Sequence, residues 1–368
     1  MLDSTRAALI STTQRPEPVS PPEATRPPRI YALDGLRLFA ALTVVLYHYT
    51  ALGGAWPTDV KVLFPWLFPV TSYGWLGVQL FFLISGFVIC MSCWDKPLKH
   101  FFVSRVVRLY PAYWFGVLAT TITVASIPGG ASPIPWNDVI TNLTMLQEPL
   151  GVRHVDGVYW TLFAELRFYL LFAVVAWRGL TYRRVLAFCC VWAVASAFFA
   201  KTAEGSPVQL LIMPDSSWYF IAGVAFYLMY RFRPNLMLTG IVLVCFCSSL
   251  PFALRTWANT EKYMGHNVQS WPVIVFVAAY FAIMALVATG KLSGVSWRWL
   301  PYAGALTYPL YLLHENIGRE IFSALSPQVP PYVLLCSVIV TMLGAAWLVH
   351  RYVERPLGRR LKQGLAQL

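Results

Sequence analysis

Apolar residues gather in runs of about 20 positions, separated by short polar segments. A helix rising 1.5 Å per residue crosses a hydrocarbon core in that length. The runs lie near 32–54, 73–94, 109–127, 158–177, 184–200, 216–230, 236–254, 271–289, 301–323 and 331–350. The sixth is short; it can begin near Val208, with Pro214 as a kink. The pattern predicts an all-α, polytopic transmembrane helical bundle of about ten spanning helices. No soluble stretch is long enough to fold alone. Residues 1–30 carry Pro16, Pro18, Pro21, Pro22, Pro27 and Pro28 without an apolar run, which reads as a disordered tail and not as a cleavable leader. Residues 31–357 form the transmembrane domain and 358–368 a short basic tail.

Composition agrees with lipid as the solvent. The chain is 58% hydrophobic and 12% charged, against about 25% charged in soluble domains. The 15 Trp and 19 Tyr suit the headgroup boundary. A net charge of +12 would suit nucleic acid, but the basic residues sit in short segments between apolar runs. With the N-terminus inside, twenty Lys and Arg fall in inside segments and five in outside ones. That asymmetry puts both termini in the cytoplasm of a multi-pass inner (plasma) membrane protein and leaves nucleic acid without a role. The seven cysteines lie in or beside apolar runs, so no extracellular disulfide framework is expected; Cys90 and Cys93 have no second pair for a metal. The longest outside connection, 128–157, has the length of a functional or mobile loop.

Ionisable side chains inside a span are costly unless paired or hydrated, so each marks a candidate site. Arg37 and His48 are eleven residues apart and share one helix face, about 16 Å apart along the axis. Asp34 can pair with Arg37 near the cytoplasmic boundary. Thr161 and Tyr169 share the face of Glu165, and Arg167 points elsewhere. His314 and Glu315 occupy the ninth span. Counted from the outer ends of their spans, His48, Glu165 and His314 fall about 9, 10 and 14 Å deep. Such a layer suits general acid–base chemistry or a proton relay. On the other side, Arg105 and Arg108 stand one turn apart where the third span begins, either as phosphate-binding forks or as topology anchors. Ser85-Gly86-Phe87 permits close backbone approach.

Taken in order, these segments resemble the acyltransferase-3 family of integral membrane O-acyltransferases. The resemblance is carried by Leu33-Asp34-Gly35-Leu36-Arg37 through His48, by Gly77 to Phe87, and by Arg105-x-x-Arg108 with Pro111. It continues through Trp160-Thr-Leu-x-x-Glu165 with Phe168-Tyr169, through Thr307-Tyr308-Pro309-Leu-Tyr311-Leu-Leu-His314, and ends at Val353-Glu354-Arg355-Pro356. Thr161 and Thr307 stand where serine is frequent. Many members carry a further span or a fused extracytoplasmic esterase-like domain; neither is expected here, since the sequence ends soon after the tenth predicted span.

The resemblance implies transfer of an acyl group, commonly acetyl, from cytoplasmic acyl-CoA to a hydroxyl of a saccharide or glycosylated acceptor. It makes Arg37 and His48 the essential pair and puts Arg105 and Arg108 at the donor. On this reading His48 takes the acceptor proton or is itself acylated, and Glu165 orients it. Asp34, Tyr169, Trp160 and His314 join the arginines as substrate-contacting residues. Acyl-CoA is a co-substrate, and no separate cofactor or metal is expected. A proton-coupled transporter built on the same His/Glu layer is the alternative.

Overall fold

The computed structural model describes residues 29–127, 132–202 and 205–366. The predicted tail, up to residue 28, lies outside the described residues. Those that are described form α-helices and short 3₁₀ or π turns, with no strand. In chain order the helices are α1 (Tyr31–Thr50), α2 (Val60–Leu63), α3 (Phe68–Thr71), α4 (Gly77–Cys93), α5 (Leu98–Ser126), α6 (Trp136–Leu143), α7 (Trp160–Trp177) and α8 (Tyr182–Phe198). They continue as α9 (Pro207–Ile212), α10 (Ser217–Phe232), α11 (Leu236–Met264), α12 (Trp271–Ala288), α13 (Leu300–Leu313), α14 (Glu315–Leu325), α15 (Pro331–Val349) and α16 (Arg355–Ala366).

Among the described residues, six stretches are long and apolar enough to cross a membrane: Phe68–Cys93, Gly157–Trp177, Tyr182–Lys201, Leu236–Met264, Trp271–Ala288 and Pro331–Leu365. The other four predicted spans coincide with α1, α5, α10 and the α13–α14 pair. Each departs from a plain apolar rod for its own reason. Asp34 and Arg37 interrupt α1, and Lys99, Arg105 and Arg108 load the first half of α5. Helix α10 has 16 residues and is buried without a break from Ser217 to Met229, as a helix apolar on every side should be. It packs against α4, α8, α11 and α12. At its crossing with α4, Gly86 and Gly223 lie backbone to backbone, and a Cβ on either would collide with a carbonyl of the other helix (Phe220 or Leu83). Upstream, α9 is a separate helix, and the chain turns through Met213 at φ 53° before Pro214.

Two features differ from the sequence expectation. The described part of the long connection, 132–157, is held against the bundle and not left loose. Helix α6 runs back along α5, and its end is held by three donors of that helix: Tyr113 Oη to Asn142 O at 2.7 Å, Trp114 Nε1 to Leu143 O at 3.0 Å and Tyr110 Oη to Thr144 O at 3.3 Å. Tyr113 lies thirteen residues before the end of α5, about 20 Å along its axis. The fully buried Asn142 fastens the returning chain: its Nδ2 donates to Asp138 O and Arg153 O, and Val155 N donates to its Oδ1. All the strong groups of that side chain are satisfied, as burial requires. Second, residues 355–366, expected partly as a tail, are helical. The chain enters α16 through a π turn, His350–Glu354, in which His350 Nδ1 donates to Glu354 at 2.8 Å and Arg355 Nε donates to His350 Nε2 at 3.1 Å. Gly358 then rests against Val107 of α5.

Candidate active site

The predicted ninth span is two helices, α13 and α14, broken at His314. The sequence explains the break. In an unbroken helix the Tyr311 carbonyl would accept from the amide of residue 315; here it accepts from His314 Nδ1 at 2.8 Å. Leu312 O is taken by Tyr159 Oη at 3.1 Å, and Asn316 N donates to Asp156 Oδ2 at 3.1 Å. A side chain therefore meets each of these freed groups. The Asp156 carboxylate also stands at the N-terminus of α14, where negative charge is favoured.

His314, fully buried, meets His48 of α1 with Nε2 3.2 Å from His48 Nδ1. His48 Nδ1 also lies 2.8 Å from Val44 O. A carbonyl only accepts, so both Nδ1 atoms carry hydrogen, and His48 Nδ1–H is shared between Val44 O and an unprotonated His314 Nε2. This assignment rests on the hydrogen-bond network. It leaves His48 Nε2 with a lone pair and no protein partner among the described residues. His48 as a whole is half-buried.

The carboxylate beside this pair is Glu315. Its charge and that of Arg319 act on His48, and Arg319 Nη1 is 3.6 Å from Glu315 Oε1. The carboxyls of Glu315 and Asp156 meet, a contact that is a hydrogen bond only while one of them holds a proton. A Cβ at Gly157 would come within 2.9 Å of Glu315 Oε2, so a side chain there would displace that carboxylate.

Beneath the histidines lies a cavity of about 90 Å³ lined by Arg37, Arg105, Arg108, Glu165, Tyr169 and Tyr308, with Thr161 and Tyr311 among its further walls. Three guanidiniums against one carboxylate make it an anion site. Tyr169 Oη donates to Glu165 at 2.9 Å, and Tyr308 Oη donates to Leu109 O at 3.0 Å, tying α13 to the arginine-bearing turn of α5. The cavity connects to the histidine pair through Tyr311, which lines it and whose carbonyl accepts from His314 Nδ1.

The sequence matches the Acyltransferase domain of the acyltransferase-3 family over residues 30–351. The chain belongs to the acyltransferase-3 family. The acyltransferase MdmB of Streptomyces mycarofaciens is 30% identical over 57% of this chain and 59% of its own length. The putative peptidoglycan O-acetyltransferase YrhL of Bacillus subtilis is 22% identical over 89% of this chain and 55% of its own length. Nodulation protein 10 of Rhizobium leguminosarum bv. viciae is 26% identical over 79% of this chain and 83% of its own. The chain thus spans little more than half the length of MdmB and YrhL. No solved structure matches it.

Within this acyltransferase-3 fold the predicted site residues divide into two groups. Arg37, Arg105, Arg108, Glu165 and Tyr169 share the cavity, and His48 and His314 form the pair above it. Asp34 is buried against Gly304 of α13, and its charge acts on Arg37. Trp160 is 42% exposed, edges Phe82 at 6.2 Å between ring centres, and is outside the cavity lining. Glu165, expected to orient His48, is instead hydrogen-bonded to Tyr169 among the arginines. The expectation measured depth from the end of α7 as though that end lay at the membrane surface. Yet Tyr159, just before α7, is already buried level with Leu312. Glu165 therefore falls about 9 Å further toward the arginines. Asp156, Tyr159 and Asn316 escaped sequence reasoning. Asp156-Gly157 ahead of an apolar run does have the form of a helix start, and Asp156 Oδ1 accepts from Val158 N at 3.2 Å.

Proposed function

We propose that this protein is a membrane O-acyltransferase that moves an acyl group, acetyl above all, from cytoplasmic acyl-CoA to a hydroxyl of a saccharide or glycosylated acceptor. The carrying observation is the His48–His314 contact, which leaves His48 Nε2 free above a cavity holding three arginines. Arg105, Arg108 and Arg37 hold the phosphates of the donor by charge and paired hydrogen bonds. The acyl end of the donor reaches toward His48, whose Nε2 takes the proton of the acceptor hydroxyl. Val44 O and His314 together hold the Nδ1–H tautomer, and Glu315 stabilises the imidazolium in the water-poor interior. Acylation of His48 itself, followed by passage to the acceptor, uses the same atoms in two steps. Saccharide acceptors are supported by the name of YrhL, a putative peptidoglycan O-acetyltransferase.

The same reading orients the protein in an inner (plasma) membrane. Ten spans, with α1, α5, α10 and α13–α14 added to the six apolar ones, put both termini in the cytoplasm, in keeping with the distribution of basic residues. The arginine cavity then opens toward the cytoplasm, and the 132–157 connection dips back from the outer side. Purified protein in lipid nanodiscs should release CoA thiol from acetyl-CoA, and His48→Ala should stop it. Wild-type protein that neither binds acetyl-CoA nor consumes it would remove this reading.

A further inference from the structure

The inner wall of the cavity, nearest the histidines, is closed by two hydroxyls. Thr161, in the first turn of α7, and Tyr311 of α13 both line the cavity, and both are buried. Their oxygens are 2.8 Å apart. Both reach the same acceptor, Val158 O, Thr161 Oγ1 at 3.0 Å and Tyr311 Oη at 3.1 Å. Two hydroxyl protons thus have three short lines to fill, and each hydroxyl proton can turn to another acceptor without moving a heavy atom. Tyr311 also joins the two halves of the site. Its carbonyl holds His314 Nδ1, and its ring stands 5.6 Å from the His314 ring and 6.0 Å from Phe81. The three arginines line the same cavity. A donor anchored there by its phosphates presents its thioester at the hydroxyl end.

We propose that the Thr161 and Tyr311 hydroxyls are the oxyanion pocket of this enzyme, donating to the thioester carbonyl oxygen as it gains charge. The assignment rests on the acyl-CoA reading above. In the step, the acceptor oxygen forms a bond to the acyl carbon, and its proton passes to His48 Nε2. The carbonyl π pair moves onto oxygen, where the two hydroxyls hold it. Collapse restores the carbonyl, breaks the carbon–sulfur bond, and the CoA thiolate takes the proton back from His48. The products are the acyl ester and CoA thiol, with atoms and charge balanced. Val158 O and the contact between the two hydroxyls hold both oxygens in place before the donor arrives, so only the hydroxyl protons must turn when the charge develops. Donors aligned in this way gain strength in the transition state and contribute little to ground-state binding.

The test uses the full chain in nanodiscs, with acetyl-CoA as donor and water or a methyl glycoside as acceptor, followed by thiol release. Tyr311→Phe and Thr161→Val keep the shape and remove the hydroxyl. Each should lower kcat on the order of 10²-fold while the KM for acetyl-CoA stays within about twofold. Thr161→Ser should retain most of the wild-type kcat, a rescue that a purely packing role for the threonine methyl would not give. Thermal midpoints are read in parallel; if Tyr311→Phe does not fold, the Val/Ser comparison at Thr161 decides alone. Wild-type kcat in the valine and phenylalanine variants, or a loss confined to KM, overturns the oxyanion pocket and leaves the acyl-CoA reading standing. Wild-type protein inert toward acetyl-CoA overturns both.

Discussion

Tyr49 donates its hydroxyl to the backbone carbonyl of His314 over 2.7 Å, so the helix that carries one histidine fixes the backbone of the other. Gly318, one turn further along α14, lies so close under the Tyr49 ring that it has no room for a Cβ. The pair geometry is thereby set by packing as well as by the 3.2 Å contact between the rings. We expect Gly318→Ala to push α14 off α1 and lower kcat more than donor affinity. Tyr49→Phe should cost about 1 kcal/mol of stability, the usual net worth of one hydrogen bond. Thermal melts and donor titrations on both variants check this; an unchanged kcat in Gly318→Ala would separate the packing from the chemistry.

Both histidines should be needed, in unequal ways. His48→Ala removes the base, and turnover should fall by about 10³-fold with acetyl-CoA binding preserved. His314→Ala removes one of the two acceptors of His48 Nδ1–H and leaves Val44 O, so it should cost less. Because the two act as one unit, the double variant should be no worse than His48→Ala. A double variant whose losses multiply would mean two independent functions.

The two carboxylates should separate in kinetics. Glu315→Gln, beside His48, should lower kcat by about 10²-fold with donor KM little changed. Glu165→Gln lies among the arginines and should act on the donor: the cavity gains net positive charge, and Tyr169 loses a charged acceptor. Its effect should appear in the KM for acetyl-CoA. The opposite split would return Glu165 to the histidine.

Arg105→Ala and Arg108→Ala should each raise the KM for acetyl-CoA by roughly tenfold to a hundredfold, the loss of one charge-assisted hydrogen-bonded contact. Saturating donor should restore most of kcat. Raising the salt concentration should weaken donor binding in the wild type more than in either variant. Donor affinity equal to wild type in both would make them topology anchors only.

Asn142 gives a test of the folded-back connection. Asn142→Ala strands the buried Val155 N, at about 1–3 kcal/mol, and takes a donor from Arg153 O. The melting temperature should drop, and proteolysis of the 132–157 segment should quicken. Unchanged proteolysis would show that the segment is held by other contacts.

Much of this was legible in the residues themselves. Arg37, His48, Arg105, Arg108, Glu165 and His314 stand out because charge and imidazole are rare in apolar runs, and the helical period puts Arg37 and His48 on one face. The depth estimate brought His48 and His314 into one layer, and they touch. What escaped depends on where helices stop. The break at His314 arises because one imidazole competes for one carbonyl, and hydropathy carries no trace of that. The early burial of Tyr159 shifts Glu165 out of the histidine layer, and the link from Asp156 to Asn316 spans 160 positions. The folded-back course of 132–157 was hidden because Trp136 and Ile140, both well exposed, give α6 an apolar outer face within a loop rich in proline.

The link between Asp156 and Asn316 also sets an order of assembly. A chain made from its N-terminus has produced α1, α5, α6 and α7 long before α14 leaves the ribosome. Until then Asp156 lacks the amide it caps, and Val155 O lacks Asn316 Nδ2, its donor at 2.9 Å. His48 Nδ1 then has only Val44 O beside it, without the second ring. A nascent chain stalled before residue 314 therefore carries the arginines of α1 and α5 but only one histidine of the pair. The cavity and the histidine pair are complete only once α13 and α14 have packed against α1, so the candidate site is among the last parts of the chain to form.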